Sequence, residues 1–209
     1  MSSDDAAIYR GRKLSDRVDD RRRQLLDAGF RILGDEGGSA LTMRAVTREA
    51  RLSPRYFYES FADRNELVLA VFDDTVGRLA ECVTTAMAPA PAPIDRVAAA
   101  FDAASRLFER EPRIARILLR GAFSDDTLRD HAYSALPAFV LSVALALGEG
   151  AAAASPRLQL DVSALSGSVV TLFLDWTEGR LPVGREELVD YCTDMVASMF
   201  SRQVGTAPG

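Results

Sequence analysis

Apolar residues recur along the chain at the three- and four-residue spacing of α-helices, and no segment alternates in the manner of a strand. In the stretch 17–37, Leu26, Phe30 and Leu33 show this spacing, and paired glycines end the run. The pattern therefore predicts an all-α fold of about nine helices. Beyond the first, we expect two short helices after Thr42 and Ser53, and longer ones at 63–87, 94–110, 111–121, 124–149, 157–179 and 184–202.

The start and the end of the 63–87 helix carry clear signals. Asp63 followed by Glu66 forms an acidic variant of the capping box. The Ala-Pro run 88–93 ends the helix, because a proline inside a helix has no N–H to donate and clashes with the preceding turn. The predicted domains are an N-terminal one at 1–62 and a helical one at 63–209, with the 63–87 helix linking the two.

The two short helices have the pattern of a helix-turn-helix. Thr42 is suited to cap the first helix, and Ser53 to cap the second. Pro54 then occupies the first helical position, where its missing N–H does no harm. Phe57 and Phe61 lie four residues apart and are expected to face inward. Helices this short are not stable alone, so the longer helix before them must cover their apolar face.

Arg55 is the candidate reader of bases. It precedes Phe57 by two positions, about 160° round a helix, and is therefore expected to point outward. An exposed arginine near the start of the second helix is well placed to pair with guanine in the major groove. The alternative is a solvated surface arginine.

Charge is distributed unevenly along the chain. Residues 1–64 contain 13 basic and 11 acidic side chains, whereas the remainder contains 12 and 19. A basic head on an acidic body suits a protein that meets phosphate at one end. The arginine-rich segment 10–23 either adds DNA contacts or is a solvated helix start.

The strings LTMRAVTREARLS and PRYFYESFADRNELV follow the apolar first helix. Together, from Arg21 to Phe72, they resemble the DNA-binding head of the tetracycline-repressor-like (TetR) family of transcriptional regulators, over about a quarter of the chain. Two positions depart from the family pattern. Arg51 stands where the family has a turn glycine, at a cost of ~1 kcal/mol if the residue is left-handed. Ser60 stands where the family often has an aromatic residue or a histidine.

The resemblance implies a homodimeric DNA-binding regulator, typically a repressor. Such a protein binds a pseudo-palindromic operator and is released from it by a small, hydrophobic effector. Effector binding in the C-terminal domain is expected to move the 63–87 helix and change the separation of the two recognition helices. The alternative is a helical interaction protein that has lost specific DNA binding.

The resemblance also assigns roles to residues of the head. Arg44, Tyr58 and Arg64 are expected to contact phosphates, and Thr47 to add a hydroxyl–phosphate bond. Tyr58 has the alternative of packing on the first helix, and Tyr56 that of packing on the 63–87 helix. The predicted DNA-binding residues are Thr42, Arg44, Thr47, Ser53, Pro54, Arg55, Tyr56, Tyr58 and Arg64, of which Pro54, Arg55 and Tyr56 approach base edges.

The last two helices are expected to form the dimer seam, because apolar residues alternate there by four and three and small residues permit close approach. Packing inside one chain is the alternative. The predicted seam residues are Ser163, Gly167, Leu188, Cys192, Met195 and Met199. The resemblance further implies an effector pocket, for which an ordinary core is the alternative. Its candidate lining residues are Phe101, Phe108, Phe123, His131, Tyr133, Phe139, Phe173 and Trp176.

Other classes of protein find little support in the sequence. It contains no Gly-rich phosphate loop, no GxSxG and no HExxH motif. A single histidine and two distant cysteines suit neither a metal site nor a disulfide framework. The longest apolar stretch is shorter than the roughly 20 residues that cross a bilayer, and the polar start does not suit a signal peptide. We therefore expect a cytoplasmic protein without enzymatic activity, cofactor or metal.

Overall fold

The computed structural model describes residues 3–121, 127–132 and 156–204, and the side chains within 17–121, 127–132 and 159–198. Within these ranges the chain is helical and contains no strand, which confirms the predicted all-α fold. The helices are α1 (Ser3–Glu36), α2 (Met43–Glu49), α3 (Pro54–Ser60), α4 (Arg64–Met87), α5 (Pro93–Arg110), α6 (Pro112–Ala115), α7 (Pro156–Thr177) and α8 (Arg185–Val204).

Three elements differ from the prediction. Helix α1 begins at Ser3 rather than near residue 17, because its polar first half lacks the apolar spacing on which the prediction depended. The predicted helix 111–121 divides into α6 and a π-helical turn, Arg116–Arg120. A short 3₁₀ turn, Gly38–Ala40, follows α1. The predicted helix 124–149 lies outside the described residues except at 127–132, which are helical.

The chain divides into two compact units, Met1–Asp74 and Thr75–Gly209. Helix α4 contributes residues to both units. The domain boundary predicted at 62/63 lies next to the start of α4. It stays a prediction, because compactness does not show which segments act as independent domains.

The first unit is built around α1, α2, α3 and the start of α4. The α1 and α4 backbones approach closely at Gly29, where a Cβ atom would lie 2.8 Å from the Val71 Cγ2 atom. Large apolar side chains fill the space between the four helices and are almost completely buried. They include Leu25, Leu41, Val46, Phe57, Phe61, Leu67 and Phe72.

In the second unit, α5 packs along α8. Arg185 at the start of α8 donates to Glu109 of α5 at 2.7 Å and approaches Asp102 at 3.2 Å. The hydrogen bond to Glu109 raises the pKa of Arg185 further above its ordinary value. Phe173 of α7 contacts Phe108 of α5 edge-to-face, at 5.6 Å between ring centroids, so these two helices meet at one aromatic cluster.

Candidate nucleic-acid interface

Helix α2 begins at the residue that the sequence predicted. Thr42 has an extended backbone, and its hydroxyl accepts a hydrogen bond from the Ala45 N–H at 3.2 Å. This confirms Thr42 as the N-cap of α2. Thr47, in contrast, is 5% exposed, and its hydroxyl donates to the Met43 carbonyl at 2.9 Å. That hydroxyl therefore satisfies a backbone carbonyl within α2 and does not face a phosphate in this conformation.

The turn between α2 and α3 depends on Arg51. Its φ angle is 55°, so this arginine adopts the left-handed conformation that the sequence analysis considered for it. The turn is closed by a 2.9 Å hydrogen bond from the Leu52 N–H to the Thr47 carbonyl. Because a side chain in this region costs ~1 kcal/mol relative to glycine, the turn is strained at one exposed position.

Helix α3 begins at the predicted residue but lacks the predicted side-chain cap. Ser53 has the extended backbone of an N-cap, and Pro54 is the first helical residue. The Ser53 hydroxyl makes no capping hydrogen bond, so that part of the prediction is wrong. The first turn is held instead by the hydrogen bond from the Tyr56 N–H to the Ser53 carbonyl, at 3.0 Å.

The two faces of α3 are sharply different. Phe57 and Phe61 are both buried, with ring centroids 5.9 Å apart, which confirms the predicted inward face. On the opposite side the Arg55 side chain is 84% exposed, which confirms that it points outward. Tyr58 is 61% exposed and therefore does not pack beneath α1. Pro54 is exposed at the same end of the helix.

Two arginines of α1 fix the inner side of α3. The Arg22 guanidinium lies 4.2 Å from the centre of the Phe61 ring, and its Nη1 donates to the Ser60 carbonyl. The Arg21 guanidinium lies 4.4 Å from the centre of the Tyr56 ring. Both are cation–π contacts, and they place Tyr56 against α1, where sequence reasoning had considered α4 instead. The sequence interpretation treated the arginines of 10–23 only as DNA-binding or solvated and so missed this positioning role.

Arg64 makes hydrogen bonds inside the first unit, and its predicted phosphate contact stays a prediction. Its Nε donates to the Leu41 carbonyl at 2.9 Å, and its Nη2 donates to the Gly38 carbonyl at 2.6 Å. The guanidinium therefore ties the start of α4 to the segment between α1 and α2. Arg44, in the first turn of α2, is exposed, and its phosphate contact stays a prediction.

The second unit brings together four of the eight candidate pocket residues. Phe173 contacts Phe101, Phe108 and Trp176, with ring centroids 5.6 to 6.2 Å apart. Half-buried His131 is not part of this cluster or of the cleft beside it. The other candidates, Phe123, Tyr133 and Phe139, lie outside the described residues.

A cleft of about 290 Å³ opens beside the aromatic cluster. Its apolar side is formed by Phe108, Leu174 and Trp176. The Trp176 indole N–H donates to the Val183 carbonyl at 3.2 Å, which fixes the ring at the edge of the cleft. The remaining lining residues are Glu109, Pro112, Ala115, Arg116, Arg120, Thr177 and Glu178.

The predicted seam residues fall into two groups. Leu188 and Cys192 are buried within the second unit, where α8 packs on α5, as packing inside one chain requires. Burial also raises the pKa of the Cys192 thiol to about 11. Ser163 and Gly167 are exposed on α7. Of the two methionines, Met195 is half-buried and the Met199 side chain lies outside the described residues.

The described residues form neither a metal-binding cluster nor a membrane-spanning helix. Among the described residues, no three His, Cys, Asp or Glu side chains are arranged to hold a metal ion. Within the same residues, no helix combines the length and the apolar character needed to cross a membrane.

The first unit thus presents a helix-turn-helix whose second helix is held from behind and exposed in front, which defines a DNA-binding domain. Residues 25–71 match the family model of bacterial regulatory proteins of the tetR family. This segment of the chain is therefore similar to the DNA-binding part of tetR-family regulators, as the sequence resemblance indicated.

Individual regulators are similar to part of the chain. The HTH-type transcriptional regulator BetI of Rhizobium meliloti is 35% identical over 79 residues, which are 38% of this chain and 39% of that protein. The match therefore spans about two fifths of the relative's length.

Solved structures extend the likeness to the fold of nearly the whole chain. A TetR-like transcriptional regulator from Rhodococcus sp. RHA1 has a TM-score of 0.62 at 17% identity, over 89% of this chain and 97% of that one. The transcriptional regulator FadR from Bacillus subtilis, in complex with stearoyl-CoA, has a TM-score of 0.63 at 13% identity, over 85% and 98%.

Proposed function

We propose that the protein is a sequence-specific DNA-binding transcriptional regulator that acts as a repressor and has no catalytic activity. One observation carries this proposal: α3 is buried completely on one face and presents Arg55 and Tyr58 on the other. A helix that buries its phenylalanine face and presents an exposed arginine near its start is suited to the major groove.

The proposed contacts divide into those that position the protein and those that read the sequence. Pro54 and Arg55, in the first turn of α3, approach base edges, and Arg55 pairs with a guanine. Arg44 and Tyr58 bind phosphates on either side, and the capped start of α2 at Thr42 approaches the same backbone. Because Arg64 and Thr47 are engaged within the protein, they act on DNA binding by holding the domain in shape.

A single seven-residue helix reads only a few base pairs, so we propose a homodimer that binds a pseudo-palindrome. The exposed face of α7 supports this proposal: Leu160, Ser163, Gly167 and Thr171 follow one another at helical spacing, and all are exposed. On α8, Tyr191 is also exposed. Sedimentation of the wild type and of Gly167→Arg tests the seam, and a wild type that is monomeric at micromolar concentration would exclude it.

We further propose that the cleft beside the aromatic cluster binds the effector, a small molecule with an apolar part. Phe108, Leu174 and Trp176 offer an apolar wall to such a ligand. The FadR of similar fold binds stearoyl-CoA, which has a long apolar chain. Ligand binding then shifts the dimer toward a state in which the two α3 helices no longer match the half-sites. Helix α4, which contributes to both units, is the proposed connection.

Two experiments test the two parts of this proposal. Selection of duplexes from a random pool by the purified wild type should enrich one pseudo-palindromic sequence, and Arg55→Ala should relax the preference at one base pair of each half-site. Trp176 is the single tryptophan of the chain, so its fluorescence reports directly on the cleft. A fatty acid that changes this fluorescence and also releases the selected DNA would support the effector site. Enrichment of no sequence by the wild type would favour the alternative of a helical interaction protein.

A further inference from the structure

An acidic residue lies on the DNA-facing side of α3, directly beside Arg55. Glu59 is one helical turn after Arg55, and its Oε1 accepts a hydrogen bond from the Arg55 Nε at 2.8 Å. Its Oε2 lies 3.9 Å from the Arg21 Nη2 of α1. The Glu59 side chain is 36% exposed, so this carboxylate borders the surface that the proposed function gives to DNA.

The contact uses one edge of the Arg55 guanidinium and leaves the other edge available. Only Nε meets Glu59, and in the part of the chain that the structure describes, the two Nη groups of Arg55 have no protein partner. A guanidinium carries five N–H donors in a fixed plane. Fixing Nε therefore aims the Nη edge, which is able to pair with the O6 and N7 atoms of a guanine.

Glu59 is itself held in place from the far side. The Arg21 guanidinium that approaches Glu59 also lies over the Tyr56 ring, so α1 and α3 share it. A carboxylate anchored in this way positions Arg55 more firmly than a freely rotating partner would.

We infer that Glu59 is a specificity-determining residue of the recognition helix, which positions Arg55 for guanine and opposes its capture by phosphates. This inference rests on the proposed function of α3 in DNA binding. On random DNA, the most favourable contact open to Arg55 is the nearest phosphate. Glu59 competes with that phosphate for the Arg55 guanidinium, and its negative charge repels the phosphate. At the cognate site, Arg55 keeps its bond to Glu59 while its Nη edge binds the base.

A positioning role for Glu59 has different consequences from an ordinary surface ion pair, and they appear in the binding of selected and of unselected DNA. An exposed pair contributes little to folding, so its loss should leave the stability of the domain almost unchanged. Its loss should instead strengthen the sequence-independent phosphate attraction, which depends on the net charge at the interface. Discrimination between the two kinds of DNA should therefore fall.

The test compares Glu59→Gln with a matched control, Glu49→Gln. Glu49 on α2 accepts from the Arg31 Nε at the same 2.8 Å and is also exposed, but it lies outside the recognition helix. Each variant is titrated with the duplex that the wild type selects from a random pool, and with the unselected pool, at two salt concentrations. Thermal unfolding of each variant checks that the fold is intact.

Glu59→Gln should bind the unselected pool about fivefold more tightly, as expected for removal of one exposed charge interaction. Because Arg55 is no longer aimed, the preference for the selected duplex should fall about tenfold, the size of one good base contact. The lost preference should concern the same base pair that Arg55→Ala relaxes. Glu49→Gln should leave the preference unchanged.

The Arg55→Ala background separates positioning from a general charge effect. If Glu59 acts through Arg55, adding Glu59→Gln to Arg55→Ala should not lower the preference further. The inference would be overturned if Glu59→Gln and Glu49→Gln prefer the selected duplex over the unselected pool to within twofold of each other. It would also be overturned if Glu59→Gln lowers that preference further in the Arg55→Ala background. A wild type that selects no sequence would contradict the proposed function itself, a result distinct from either.

Discussion

Arg64, at the start of α4, donates hydrogen bonds to the backbone carbonyls of Leu41 and Gly38, at 2.9 and 2.6 Å. These carbonyls belong to the segment between α1 and α2, far from Arg64 in the sequence. One side chain thus donates to two carbonyls of this segment, of which the Gly38 carbonyl also accepts from the Leu41 N–H at 3.2 Å. Arg64, for which the family resemblance predicts a phosphate contact, therefore also ties the start of α4 to this segment.

Arg64→Met should therefore destabilise the first unit. The change keeps most of the apolar stem but leaves the Leu41 and Gly38 carbonyls without their charged donor. The expected loss is about 1.5–3 kcal/mol, measured as the free energy of opening of the α2 and α3 amides in native-state hydrogen exchange.

Arg44→Met is the matched control, because Arg44 is exposed and is proposed to bind phosphate. It should leave hydrogen exchange almost unchanged. It should also reduce by about one the slope of the logarithm of the DNA-binding constant against the logarithm of salt concentration. If Arg64→Met lowers the salt slope without affecting exchange, Arg64 is a phosphate contact and its stabilising role is contradicted.

Arg51→Gly should stabilise the turn between α2 and α3. Arg51 has a φ of 55°, which glycine adopts without a Cβ penalty. The part of the gain due to relieved strain is about 1 kcal/mol, reduced by the greater entropy of glycine in the unfolded chain. Hydrogen exchange of the α2 and α3 amides measures the change, and Arg51→Ala should show none because alanine has the same Cβ. Equal effects of the two substitutions would indicate that the side chain, not the backbone, decides stability here.

Gly29→Ala should crowd the contact between α1 and α4. The added Cβ would lie 2.8 Å from the Val71 Cγ2 atom, so the Val71 side chain or one of the two helices must shift. Overpacking of this kind costs about 1–3 kcal/mol. Gly77→Ala, in a helical position with nothing within 4 Å, should instead gain about 1 kcal/mol of helix propensity. Local hydrogen exchange around each site compares the two, and a Gly29→Ala protein as stable as Gly77→Ala would contradict the close approach.

Cys192 should resist thiol reagents in the folded protein. The residue is fully buried, and burial raises the pKa of its thiol to about 11. In a Cys82→Ala protein, labelling by a disulfide reagent at pH 8 should proceed only as fast as the second unit opens, and urea should accelerate it.

The same shift has a consequence for stability against pH. The folded pKa of Cys192 lies above its ordinary value of 9.0, so the folded state holds the proton more tightly. This contribution is complete below about pH 9 and is lost as the pH rises toward 11. A Cys192→Ala protein should show a smaller fall in stability between pH 9 and 11, and an equal fall would contradict the assignment.

Local patterns were predictable from the sequence. The N-cap at Thr42, Pro54 at the start of α3, and the inward pair Phe57 and Phe61 follow from capping preferences and helical spacing, and the structure confirms each. The strained turn at Arg51 was visible as an arginine where related sequences have glycine. These features depend on residues at most four positions apart.

Contacts between distant residues were not predictable in the same way. Arg64 meets carbonyls 23 and 26 positions away, and Arg22 meets one 38 positions away. The charge of these side chains suggested DNA, because the sequence does not show which backbone carbonyls lack partners. The stripe of Leu188 and Cys192 similarly predicted a packed face but did not distinguish a neighbouring helix from a second chain.

The exposed face of α3 is proposed to recognise a specific DNA sequence. Fluorescence anisotropy tests this recognition with two labelled duplexes, one from beside the protein's own gene and one of the same composition in scrambled order, at two salt concentrations. We expect tight binding to the first duplex, with the scrambled one bound about 10³-fold or more weakly. Equal, weak and steeply salt-dependent binding to both would mean phosphate attraction alone and would contradict recognition of that site.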